Sequence, residues 1–188
     1  MKRPQVSTED LPENESTRGI RATGDRLARL AGGLEEWIEP TAEESSDYSL
    51  ARVIDDCVEH IRAEGLSASI LVEGEPDARA VGRRSRICRA LHLVLQNAAR
   101  HAPAGTTIQI VLQTGVESHS ITVRDRGVGL PRGKEQLVWS PLFRRAKGGV
   151  GLGLAIARRF VVEDGGAVHA STAPEGGAVV VLTLPRAR

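Results

Sequence analysis

The sequence predicts an α+β fold, a mixed sheet with helices on one face. Three observations carry this: helical and strand patterns alternate without regular βαβ units, two hairpin signals occur late in the chain, and a glycine run opens the last helix. The chain has 188 residues, 40% apolar and 26% charged, which suits one globular domain, or one domain plus a docking segment. The 25 Lys and Arg nearly cancel the 24 Asp and Glu. That balance gives no uncompensated basic surface to displace phosphate counterions, so nucleic acid is not an expected partner.

Residues 1–16, with Pro4, Pro12 and many Ser, Thr and Glu, read as a disordered lead-in. A helix beginning at Thr17 or Asp25 runs to Pro40. Ile20, Leu27 and Leu34 recur every seven residues, and Thr23, Leu30 and Trp37 follow each by three, an a/d seam. Gly32 and Gly33 weaken that helix by about 1 kcal/mol each. The seam suits a homodimer through residues 20–37; an amphipathic helix folded on its own domain is the other reading. Residues 17–47 thus form a dimerisation-type helix and linker, and 48–188 the main domain.

Residues 49–64 place Val53, Ile54, Cys57 and Ile61 on one face, an amphipathic helix. Short strands follow at 69–73 and 78–81. A longer helix over 83–101 carries Ile87, Ala90, Leu91, Val94, Leu95 and Ala98 on its apolar side, and Pro103 and Gly105 end it. Residues 107–114 and 120–125 alternate and form a hairpin. A helix from about Leu152 to Glu163 is closed by Asp164-Gly165-Gly166. A second hairpin joins 167–172 to 178–184.

No apolar run approaches the ~20 residues that cross a bilayer, and the polar N-terminus is no secretory signal. Cys57 and Cys88 lack disulfide or metal spacing and read as two buried thiols in a reducing compartment. A cytosolic chain, or the cytosolic part of a membrane-bound system, is expected.

Three segments carry chemistry. Asn97, near a helix end, offers an amide oxygen to a hard cation, although Asn there also serves as a cap or solvent residue. Asp125-Arg126-Gly127-Val128-Gly129 puts a carboxylate and two glycines directly after a strand, a ligand-facing acceptor or a simple turn. Residues 148–154, Gly-Gly-Val-Gly-Leu-Gly-Leu, open a helix whose free N–H groups and dipole favour an anion. This stretch lacks the βαβ unit of a dinucleotide fingerprint and the Gly-Lys-Ser/Thr of a P-loop.

In this order the segments resemble the boxes of the ATP-binding domain of sensor histidine kinases, in the superfamily shared with gyrase, Hsp90 and MutL. LVLQNAARHA is similar to the N box, DRGVG to the first glycine box, WSPLFRR to the phenylalanine box and GGVGLGLAIARRFVVEDGG to the second glycine box. GGAVVVLTLP resembles the closing strand. The resemblance implies a two-layer α/β sandwich of the Bergerat type. It implies ATP and Mg²⁺ as cofactors, with Asn97 holding the metal and acting in catalysis and Asp125 accepting the adenine amine. Gly127 and Gly129 would lie against the base, and Gly149, Gly151, Leu152 and Gly153 would line the phosphates. Arg100, His101 and Arg144 fall where the family places phosphate contacts, ordinary structural roles being the alternative for Arg100 and His101. Residues 131–148 correspond to the ATP lid, anchored by Trp139, Leu142 and Phe143.

Two departures accompany the resemblance. The family has Asn or an acid four residues before the metal-binding Asn, where this chain has Leu93; Gln96 and His92 are the polar neighbours. Residues 17–40 resemble the second helix of the phosphotransfer hairpin, while the first helix, with its His-Glu-x-x-x-Pro acceptor, does not occur in this sequence. The expected function is therefore transfer of the γ-phosphoryl of ATP to a histidine outside this chain. That histidine-bearing helix, in the same larger protein or a separate one, and a cognate response regulator are the implied partners. A serine kinase of the anti-sigma-factor type, or a non-catalytic phosphotransfer adaptor, is the alternative.

Overall fold

The computed structural model describes residues 23–24, 43–65, 69–143 and 151–187. The expected lead-in, and all of the heptad helix except the helical Thr23 and Gly24, lie outside these residues. Elements run β1 (Ser46–Ser49), α1 (Leu50–Ala63), β2 (Ser69–Gly74), β3 (Arg79–Gly82), α2 (Arg84–His101), β4 (Thr107–Thr114), β5 (Ser118–Arg124), α3 (Gly153–Glu163), β6 (Ala167–Thr172) and β7 (Ala178–Pro185). A 3₁₀ turn spans Leu137–Trp139.

The main sheet has the order β2-β4-β5-β7-β6. The β2–β4 pair is parallel and the others are antiparallel, so the sheet is mixed, as expected. Its inner face alternates apolar residues at period two: Ile108, Ile110 and Leu112 on β4, Ile121 and Val123 on β5, Val180, Leu182 and Leu184 on β7. The three helices cover that face, and α2 at their centre buries Ile87, Ala90, Leu91, Val94, Leu95 and Ala98, the stripe its sequence carries. Each large aliphatic side chain so buried contributes about 1.5–3 kcal/mol. Ser49 caps α1 by accepting from the Arg52 N–H at 3.4 Å.

β1 begins at Ser46, inside the segment the sequence marks as linker. It pairs antiparallel with β3, Tyr48 opposite Ala80, in a separate two-stranded ribbon. The strand at 78–81 therefore belongs to this ribbon and not to the main sheet.

Candidate functional site

Helices α2 and α3 lie antiparallel, and salt bridges fix one end of the pair. Asp164, just past α3, accepts the Arg83 N–H at 2.8 Å and Arg83 Nε at 2.7 Å. Glu163 takes Arg86 Nη1 and Arg159 Nε, each at 2.7 Å, and Arg86 is itself buried, 5.7 Å from the centre of the Phe160 ring. The Arg159 hydrogen bond and the surrounding guanidiniums hold the Glu163 carboxyl below its usual range. With those ends tied, the C-terminus of α2 must meet the N-terminus of α3. Leu93 packs there against Gly153, 3.5 Å from where a Cβ would stand.

A cavity of about 240 Å³ opens at this meeting point. Asn97, Arg100 and His101 enter it from α2, Asp125 and Gly129 from beyond β5, and Gly151 and Gly153 from the start of α3. Leu130, Val138, Phe143 and Leu154 give it apolar walls. The N-cap of α3 is Leu152, whose side chain makes no cap hydrogen bond, so among the described residues the helix start keeps N–H groups without a side-chain cap.

Asp125 is 4% exposed. Its Oδ1 accepts from the backbone N–H of Gly127 at 2.7 Å and of Ala178 at 3.0 Å. Its Oδ2 has no protein donor among the described residues. A buried carboxylate with one oxygen fixed and the other unmatched beside an apolar-walled cavity suits an N–H donor on a flat ligand. The glycines around it allow close backbone packing. A Cβ on Gly129 would stand 2.5 Å from Thr172 Cγ2, and one on Gly177, at φ +87°, 2.0 Å from the Asp125 carbonyl oxygen.

Asn97 is half-buried and lines the cavity. Gln96 lines it too; its Nε2 donates to both Glu64 oxygens, at 3.0 and 2.9 Å, which leaves Oε1 as its acceptor. Glu64 also takes His92 Nε2 at 3.0 Å, and burial pushes the His92 imidazole below its ordinary value despite Glu64. Among the described residues no cluster of His, Cys, Asp and Glu could hold a metal by itself. An Asn amide, with ligand phosphates, is a donor set for Mg²⁺.

Of the sequence candidates, Asn97, Arg100, His101, Asp125, Gly129, Gly151 and Gly153 line one cavity. Gly127 is not among the lining residues; a Cβ there would lie 2.5 Å from the His101 carbonyl oxygen. Leu152 is buried in the core as the N-cap of α3. Arg144 and Gly149 lie outside the described residues. Leu142 is not an anchor of the 131–148 segment: its N–H donates to the Gly151 carbonyl oxygen at 2.8 Å, its φ is +65°, and the side chain is left 62% exposed. Val138, which the sequence does not mark, takes that place beside the buried Trp139.

The match to a known family decides the class of ligand. Residues 82–188 match the family described as histidine kinase-, DNA gyrase B-, and HSP90-like ATPase. The chain belongs to this ATPase family. Domains of this family bind ATP, and the relatives found are sensor histidine kinases. MprB of Mycolicibacterium smegmatis, a signal transduction histidine-protein kinase/phosphatase, is 32% identical over 199 residues, covering 95% of this chain and 39% of the relative. Sensor protein KdpD of Escherichia coli is 41% identical over 102 residues, covering 52% of this chain and 11% of the relative. The chain thus spans well under half the length of these curated relatives. A solved mycobacterial sensor histidine kinase MprB superposes with a TM-score of 0.70 at 29% identity, covering 76% of this chain and 98% of that one. The fold is that of a histidine kinase ATP-binding catalytic domain. Among the described residues no helix is long and apolar enough to cross a membrane.

Proposed function

We propose that this chain binds Mg-ATP in the α2–α3 cavity and passes the γ-phosphoryl to a histidine on a partner helix, within a cytosolic two-component system that hands it on to a response regulator. The observation that carries this reading is Asp125, a buried carboxylate lining the cavity whose Oδ2 has no donor among the described residues, opposite a helix start where N-cap Leu152 makes no side-chain cap hydrogen bond. In this reading Asp125 Oδ2 accepts the adenine amine and Gly129 lets the base lie close. Arg100, His101 and the first N–H groups of α3, from Gly151 to Gly153, receive the phosphates. Asn97 offers its amide oxygen to Mg²⁺, which neutralises phosphate charge when bound. Phosphoryl transfer asks little more of a protein than positioning and charge neutralisation, and this chain supplies both from rigid helix ends. By their spacing, Ile20, Leu27, Leu30, Leu34 and Trp37 are the seam for the histidine-bearing helix or for a second copy.

Titration of a fluorescent ATP analogue, with and without Mg²⁺, tests the site. Binding in the micromolar range, strengthened by Mg²⁺, is expected, and Asn97→Ala should abolish the Mg²⁺ increment while leaving metal-free binding. An increment that survives in the variant removes Asn97 from the metal.

A further inference from the structure

Cys57 on α1 and Cys88 on α2 meet across the helix contact, 31 residues apart in sequence, with their sulfurs 3.5 Å from each other. The Cys57 sulfur also lies 3.2 Å from the Cys88 carbonyl oxygen. Both thiols are free. The sulfurs need to close by only about 1.5 Å to reach disulfide bond length, a movement that side-chain rotation and a small slide of two packed helices supply. The two positions are unlike. Cys57 is wholly buried, whereas Cys88 is only half-buried.

The electrostatics divide the pair in the same sense. Hydrogen bonding from Cys57 favours a Cys88 thiolate, burial opposes it, and Arg84 one turn earlier on α2 supports it; the net result holds Cys88 below the ordinary thiol range. The same hydrogen bond, with burial, pushes Cys57 up. Arg84 is held over the pair by its ion pair with Asp56, the neighbour of Cys57. A partly exposed thiolate beside a sheltered thiol is the arrangement of an attacking and a resolving cysteine.

We propose that Cys57 and Cys88 form a peroxide-reactive dithiol, in which Cys88 is oxidised first and Cys57 resolves it to an intramolecular disulfide. In the first step the Cys88 thiolate attacks one oxygen of hydrogen peroxide. An S–O bond forms, the O–O bond breaks, and the departing hydroxide takes a proton to become water. In the second step the Cys57 sulfur, losing its proton, attacks the Cys88 sulfur. The S–S bond forms, the S–O bond breaks, and the leaving hydroxide departs as the second water. Two thiols have lost two electrons and two protons, and one peroxide has become two waters. The product ties α1 to α2, the helix that carries Asn97.

The full chain, treated with hydrogen peroxide, blocked with iodoacetamide and mapped without reduction, tests this. A peptide pair joined through Cys57 and Cys88 is expected, with an intact mass lower by two hydrogens, both reversed by dithiothreitol. The melting temperature of the oxidised form should rise by about 5 °C or more, because the crosslink closes a loop in the unfolded chain. In Cys57→Ala the sulfenic acid has no resolving partner, so dimedone should label Cys88 several-fold more than in the parent. In Cys88→Ala, Cys57 should stay unlabelled. The proposal is overturned if the peroxide-treated parent yields both cysteines alkylated, or if dimedone marks Cys57 in preference to Cys88. The mapping of the parent decides the matter even if a variant does not fold.

Discussion

Ala178, the first residue of β7, holds Asp125 in place: its N–H donates to Asp125 Oδ1 at 3.0 Å, and the Asp125 N–H donates back to the Ala178 carbonyl oxygen at 3.0 Å. The carboxylate is therefore fixed to the strand beside it and cannot rotate away from the cavity. Its chemistry can be inverted without moving it. In Asp125→Asn the amide oxygen can take over both backbone hydrogen bonds, which leaves Nδ2, a donor, where Oδ2 accepted. The variant should fold, and its affinity for ATP should fall by about 10- to 100-fold. Inosine triphosphate, with a carbonyl in place of the amine, should lose far less. Competition titrations check both, and parental ATP affinity in the variant would take the adenine role away from Asp125.

Gly177 guards the same carboxylate from behind. A Cβ there would stand 2.0 Å from the Asp125 carbonyl oxygen, whereas at Gly105, φ +79° against φ +87°, nothing lies within 4 Å. The two positions share the left-handed backbone and differ in space. Gly105→Ala should cost about 1 kcal/mol, the backbone strain alone. Gly177→Ala should cost about 3 kcal/mol or more and weaken nucleotide binding as well. Urea melts of the two variants separate the contributions; equal losses would mean that β7 relaxes freely around the new methyl.

His92 makes stability depend on pH. Burial lowers its imidazole below the ordinary 6.5, with Arg89 and His60 adding to that and Glu64 opposing it. The unfolded chain then takes the proton first as pH falls. The neutral form's contribution is complete above pH ~6.5 and is lost as pH drops toward the lower folded value. Denaturation midpoints should decline as pH falls below about 6.5. His92→Gln keeps a donor for Glu64 and removes the titration, so its profile over that window should be flatter. An unchanged slope in the variant assigns the effect to other groups.

Helices α1 and α2 were legible because a stripe at helical spacing must be buried; residues 83–101 predict Arg84–His101 within one position. That Asn97, Asp125 and Gly151 line one cavity was legible for a different reason: each box is short and local, and the resemblance supplies their order. β1 was not, since Ser-Asp-Tyr-Ser has no alternating pattern and its pairing with Arg79–Gly82 is distant in sequence. The apolar wall of the cavity was missed in part because Leu130 sits in irregular backbone and Val138 in a three-residue 3₁₀ turn, too short for any periodicity to mark what faces inward. Gly177 reads as a turn residue, and only its contact with Asp125 reveals why no side chain fits. Leu142 misled for the converse reason: a large apolar residue suggests an anchor, but a positive φ turns it to solvent.

The chain by itself should not acquire phosphate from ATP. Transfer requires an acceptor nitrogen in line with the γ-phosphorus at about 3–3.5 Å, and the chain has five histidines to consider. His119 is 2% exposed, with Nε2 against the Arg79 carbonyl oxygen at 2.9 Å. His92 is 7% exposed and paired with Glu64. His169 lies on the edge strand β6. His60, in the last turn of α1, has Nδ1 at 2.7 Å from the Asp56 carbonyl oxygen and its ring edge-on to His92, and it does not line the cavity. Only His101 reaches the cavity, from the same helix end as Asn97 and Arg100. In the proposed reading that end is the wall the phosphates rest on, so His101 stands beside the γ-phosphoryl and not across from its leaving oxygen. Incubation with labelled ATP and Mg²⁺ should therefore give no acid-labile phosphoprotein, and adding a histidine-bearing helical hairpin from a cognate kinase should place the label on the hairpin. Strong labelling of the chain alone, lost in His101→Ala or His60→Ala, would make that histidine the acceptor and end the case for an external one.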